Sequence, residues 1–165
     1  MKNKSSIVSI VMGSESDLGT LQEAQAILTR FGIPHEMRVI SAHRTPKKAY
    51  DYALGLENRG VKLVIAAAGK AAHLAGVIAG LTPLPVIGVP ITTSDLGGLD
   101  SLLSTVQMPG GIPVATVTIG KTGAKNAAIL AVQILSLMDP NLRKKLGSFR
   151  DEMTQELERA DERIG

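Results

Sequence analysis

Short apolar runs alternate with helix-periodic stretches along this chain, and few folds accommodate that alternation. The runs fall at 7–12, 36–40, 63–68, 86–89 and 114–119, each too short to pack as a helix. Between them apolar residues recur every three or four positions, as at Leu18, Leu21, Ala24, Leu28 and Phe31. Strands separated by helices join as crossovers to parallel neighbours. The pattern therefore predicts an α/β fold, a three-layer sandwich around an open parallel sheet. Aromatic residues make up only 2% and Trp is absent, while Gly occurs 17 times. Such a core packs by close approach of small side chains, as parallel strands under small-residue helices do.

Helices are expected at 17–31, 46–58, 70–79, 99–106 and 124–137. Gly32 followed by Pro34 ends the first, Thr45 is positioned to cap the second, and Pro46 suits its opening position. Asp139-Pro140 breaks the pattern ahead of a charged terminal helix over about 139–164. Its narrow stripe of Leu142, Leu146, Phe149, Met153 and Leu157 suits either the chain's own domain or a neighbouring subunit. At 165 residues we expect a single domain with its core over about 7–138.

Composition excludes several classes of function. With no Cys there are no disulfides, thiolate nucleophiles or zinc–sulfur sites, as expected of a reducing compartment. Lys2 and Lys4 precede an apolar run too short for a signal peptide or a membrane span, so a cytoplasmic location is expected. The net charge of +3 is spread without a long basic run or interleaved aromatics, which argues against nucleic acid as a partner. A small anionic substrate suits it equally well.

In open α/β sheets ligands bind beyond the carboxyl ends of the strands, and three loops in that position carry unusual chemistry. The first, Gly13-Ser14-Glu15-Ser16-Asp17, opens a helix whose free N–H groups favour an anion, with hydroxyls from Ser14 and Ser16 as further donors and Asp17 as an acceptor for ribose hydroxyls. Ser14 and Asp17 also fit an ordinary helix cap. The segment lacks the Gly-Lys-Ser/Thr ending of a Walker loop and the glycine spacing of a dinucleotide loop. The second, Ser41-Ala42-His43-Arg44-Thr45-Pro46, sets a planar guanidinium at a helix start beside an imidazole that can both give and take a proton near neutrality. A passive loop histidine fits these residues as well. The third, from Ala66 to Gly76, is a tract of tiny residues that lets a ligand approach the backbone, with His73 one turn into the expected helix. Close helix–sheet packing accounts for the same composition.

Together these segments resemble the class I N5-carboxyaminoimidazole ribonucleotide mutase family. The resemblance rests on Met12-Gly13-Ser14-Glu15-Ser16-Asp17, Val39-Ile40-Ser41-Ala42-His43-Arg44-Thr45-Pro46 and Ala71-Ala72-His73-Leu74. It continues through Leu84-Pro85-Val86-Ile87-Gly88-Val89-Pro90, Asp100-Ser101-Leu102-Leu103, the stretch from Val106 to Thr116, and Asn126-Ala127-Ala128, so that it spans roughly 7–138 in order. It implies a flavodoxin-like fold and an isomerase that moves a carboxylate from an exocyclic amine to a ring carbon. It further implies no metal or organic cofactor, a small ribonucleotide substrate, and a homo-octamer with sites shared between subunits. Carried onto this chain, His43 is the general acid/base, and His73 is a second catalytic candidate. Ser14, Ser16, Asp17, Ser41 and Arg44 bind the ribonucleotide, and Ala68, Gly69, His73 and Leu74 line the pocket for the migrating carboxyl group.

The third loop departs from the family pattern of Gly-Ala-Gly-Gly followed by Ala-Ala-His-Leu-Pro-Gly. Here Ala67 and Lys70 replace glycines and Ala75 replaces proline. A cation at position 70 either meets the substrate or is simply solvated. Two rival functions remain open at this point: direct carboxylation of aminoimidazole ribonucleotide with carbon dioxide, and a flavodoxin-like module that binds phosphate without turnover.

Overall fold

A computed structural model describes residues 6–165, so that Lys2 and Lys4 lie outside the described residues. The strands are β1 (Val8–Met12), β2 (His35–Val39), β3 (Leu63–Ala68), β4 (Val86–Pro90) and β5 (Ala115–Thr116). All pair in parallel in the order β2-β1-β3-β4-β5. This is the flavodoxin-like order expected. Every residue of β1 and β4 is buried, and β3 is buried up to Ala67, as both-faces-covered parallel strands require. By contrast β2 reads His-Glu-Met-Arg-Val with no buried position, which suits an edge.

The helices are α1 (Leu18–Phe31), α2 (Pro46–Leu54), α3 (Leu74–Ala79), α4 (Leu99–Val106), α5 (Gly120–Ser136) and α6 (Pro140–Ile164). On α1 the buried face is Leu21, Ala24, Leu28 and Phe31, and left-handed Gly32 closes the helix. The chain steps one way from β1 to β2 and the other way through β3, β4 and β5. Right-handed crossovers then put α1 on one face and α2, α3 and α4 on the other. Ala49 and Ala53 of α2 and Leu74, Ala75 and Ile78 of α3 pack with Val11, Val64, Ala66 and Val86 of the sheet. The small side chains let helix and sheet approach closely.

Two compact units are present, 1–131 with the sheet and 132–165 with α6. Within the second, Asp139 caps α6 by accepting from the N–H groups of Asn141 and Leu142.

Three expectations need correction. The third helix starts at Leu74 and not at position 70, because Lys70 turns into the left-handed region at φ 58°. His73 is therefore the residue preceding α3 and not one turn inside it. Thr45 does not cap α2, since its hydroxyl donates to the Ser41 carbonyl at 2.9 Å and accepts from the Ser41 N–H at 3.1 Å, closing the loop on itself. The fifth strand shrinks from 114–119 to two residues at the sheet edge, where only β4 is available for pairing.

Candidate active site

β1 sits between β2 and β3, so the loops after these three strands emerge side by side at their carboxyl ends. Sheet-like hydrogen bonds continue past the strands, from Gly13 N–H to Ala67 O at 3.0 Å, Ile40 N–H to Met12 O at 2.9 Å and Ile91 N–H to Ala68 O at 3.0 Å. The loops thus start from a rigid base. Around them lies a cavity of about 510 Å³. From the first loop it takes Ser14, Ser16 and Asp17, from the second Ser41, His43 and Arg44, and from the third Ala68, Gly69, His73 and Leu74. Every residue assigned to catalysis or substrate binding from the sequence lines this one space.

Local hydrogen bonds set the anion-binding side. Arg44 donates from its guanidinium to the Gly13 carbonyl at 2.8 Å and from its N–H to Ser41 Oγ at 3.1 Å. This fixes the fork across the first and second loops. Ser16 Oγ donates to Ser14 Oγ at 2.9 Å, and Ser14 caps a short 3-10 turn by accepting from the Ser16 N–H. Asp17 precedes α1 without capping it, and its Oδ1 lies 3.3 Å from the Ser16 hydroxyl. Burial pushes the Asp17 carboxyl above its usual value, against the opposing pull of Ser16, the Ser14 backbone and the Arg44 guanidinium. Keeping a carboxylate in so buried a position opposes stability and fits a binding role.

His43 and His73 meet at the centre. His43 Nε2 lies 2.8 Å from His73 Nδ1, with the ring centroids 4.9 Å apart and the rings nearly perpendicular at 84°. One of the two nitrogens donates and the other accepts, which couples the tautomer of one ring to that of the other. Both rings are exposed in the single chain. Among the described residues no group of three His, Asp or Glu side chains is arranged to hold a metal.

Sequence reasoning missed the fourth wall. Ile91, Thr92, Thr93 and Ser94 follow β4 and also line the cavity. Their signal was available: a hydroxyl-rich segment directly after a strand. The residue at the position of the unusual lysine, Lys70, lines the cavity too and ion-pairs with Asp95 at 2.6 Å.

A family model for AIR carboxylase matches residues 7–156. The chain is similar to the N5-carboxyaminoimidazole ribonucleotide mutase of Pyrococcus horikoshii, 54% identical over 99% of this chain and 92% of the relative. It is also similar to that of Bacillus subtilis, 52% identical over 96% of this chain and 98% of the relative. Among solved structures, the crystal structure of Treponema denticola PurE superposes with a TM-score of 0.85 at 31% identity, covering 94% of this chain and 96% of that one.

Proposed function

The chain belongs to the AIR carboxylase family, and we propose that its cavity moves the carboxylate of N5-carboxyaminoimidazole ribonucleotide from the exocyclic amine to the ring carbon. The chain is thus an isomerase of purine biosynthesis, like its curated relatives. The observation that carries the site assignment is the His43–His73 hydrogen bond of 2.8 Å on the wall of a cavity that also holds the Arg44 fork. A passive phosphate cradle needs the fork but has no use for a proton-carrying pair.

In the mechanism, Arg44, Ser14, Ser16 and Ser41 hold the phosphate end, and Asp17 accepts from ribose hydroxyls. His43 delivers a proton to the exocyclic nitrogen as its bond to the carboxyl carbon breaks, the electron pair going to nitrogen. Carbon dioxide then waits against Ala68, Gly69 and Leu74. The enamine-like π pair of the ring forms the new carbon–carbon bond, and the ring-carbon proton returns to the imidazole. Proton and electrons balance over the cycle, so one imidazole serves both steps. His73 holds the tautomer of His43 between them. The small-residue wall confines a neutral gas by shape, which supplies proximity without strong binding.

The exposure of both rings in the single chain supports a homo-octamer in which a neighbouring subunit completes each site. We place the enzyme in the cytoplasm, acting on a small ribonucleotide and not on nucleic acid. Among the described residues no helix is long and apolar enough to cross a membrane. The test is a two-substrate assay. Turnover of the carboxyamino ribonucleotide that needs no added bicarbonate is expected, whereas activity seen only as bicarbonate-dependent carboxylation of aminoimidazole ribonucleotide overturns the mutase.

A further inference from the structure

Lys70 alone among the described non-glycine residues has a positive φ, 58°. Side chains other than glycine are strained there, so contacts must hold it. Its N–H donates to Ser101 Oγ on α4 at 2.9 Å, and its carbonyl lies 3.4 Å from Ser104 Oγ, whose proton goes to the Asp100 carbonyl at 2.7 Å. Its ammonium donates to Asp95 Oδ2 at 2.6 Å. Asp95 follows directly on the hydroxyl-rich cavity wall of residues 91–94, whose Thr93 donates to Asp100 Oδ1 at 2.8 Å and accepts from the Gly98 N–H at 3.1 Å. The turn at 69–71, the start of α4 and the 93–95 loop therefore form a closed ring of polar contacts. The turn and the loop already touch at Gly69, where an added Cβ would lie 3.4 Å from Thr93 Cγ2. Lys70–Asp95 is the solvent-facing link of this ring, its side chains 68% and 61% exposed. Glycine at position 70 would remove the strain but also the link.

We infer that Lys70 and Asp95 are a positioning pair, a latch that holds the 93–95 loop against the 69–71 turn so that released carbon dioxide is recaptured and not lost. The inference rests on the mutase reading above. Carbon dioxide is neutral and small, so its retention depends on how fast the wall opens compared with carbon–carbon bond formation. A looser wall raises escape while leaving the phosphate and ribose contacts in place. The signature is uncoupling: the carboxyamino substrate is consumed, its nitrogen takes a proton, and aminoimidazole ribonucleotide and carbon dioxide leave separately.

The experiment measures the share of enzyme-consumed carboxyamino ribonucleotide that ends as aminoimidazole ribonucleotide, together with KM. Lys70→Met, Lys70→Gly and Asp95→Asn are each expected to raise that share about fivefold or more with KM within about threefold of the parent, as loss of positioning without loss of binding requires. Lys70→Gly relieves backbone strain and so guards against a folding artefact. The exchange Lys70→Asp with Asp95→Lys restores the pair in reverse and should recover most of the coupling; Asp also tolerates a left-handed backbone. Single variants that partition like the parent overturn the latch, as does a charge exchange that fails to recover coupling. A KM raised about tenfold in Lys70→Met but not in Asp95→Asn also overturns it, since Lys70 would then touch the substrate itself. A parent chain that makes no carboxylated product from the carboxyamino substrate overturns the mutase reading and the latch with it.

Discussion

His43 meets a partner 30 residues away in sequence, and that distance marks what the residues alone could and could not convey. Both histidines were legible as lying beyond the ends of strands, His43 in a loop and His73 in what read as the first turn of a helix. Their pairing was not, since it depends on β1 lying between β2 and β3, and no hydrophobic period encodes strand order. The misplaced helix start had the same kind of cause. Positive φ at Lys70 delays α3, and lysine carries none of the turn signal that glycine would have given. Two residues then divide the chemistry. His43→Asn keeps a polar side chain of similar reach but cannot carry a proton, so kcat is expected to fall by about 10²–10⁴ while substrate affinity stays within a few-fold. Arg44→Ala removes a charged donor without touching the proton carrier, and binding should weaken by about 1.5–3 kcal/mol in calorimetric titration. Equal affinity in parent and Arg44→Ala would deny the guanidinium a phosphate role.

At the scale of elements, the attachment of α2 to the sheet rests on a side chain that drew no notice in the sequence. Ser9 on β1 lies 2.8 Å from the Tyr52 hydroxyl, which donates to Glu36 on β2 at 2.5 Å. The Arg59 guanidinium sits 4.3 Å over the Tyr52 ring and 3.6 Å from Glu36. One helix and two strands are thus tied below the loop that carries His43 and Arg44. A tyrosine at helical spacing with Ala49 and Ala53 reads simply as core, so only the fold exposes the network. Burial first, then the hydrogen bond to Glu36, pushes the Tyr52 hydroxyl from 10.0 up to about 12. A folded value above the unfolded one means the stabilisation is complete below pH 10 and is lost as pH rises through about 12. Tyr52→Phe should therefore lower stability by about 1–3 kcal/mol at neutral pH, because buried Ser9 loses its partner. It should also flatten the alkaline limb of the stability curve. Denaturant melts at pH 7 and across the alkaline range check both, and an unchanged limb would contradict the assignment.

For the molecule as a whole, the parallel sheet was readable from alternation, but the edge position of β2 and the number of chains in the working enzyme were not. Apolar stripes at helical spacing look alike whether they face the chain's own core or another copy. On α4, Leu99, Leu103 and Val106 share one face and are 51%, 48% and 45% exposed. On α6 the stripe expected from sequence starts buried at Leu142 but ends with Met153 53% and Leu157 74% exposed. A chain working alone rarely leaves such rows in water, because burying each large aliphatic side chain is worth about 1.5–3 kcal/mol. The same helix carries Ser101, which holds the Lys70 N–H, so a neighbour seated on α4 would also brace the cavity wall. Light scattering should then give a particle of about eight times the 17.3 kDa chain. Leu99→Lys combined with Leu103→Lys places two desolvated charges in that contact and should reduce the mass severalfold, with turnover falling in step. A parent that scatters as a single 17.3 kDa chain yet turns over fully would show that one subunit is a complete enzyme.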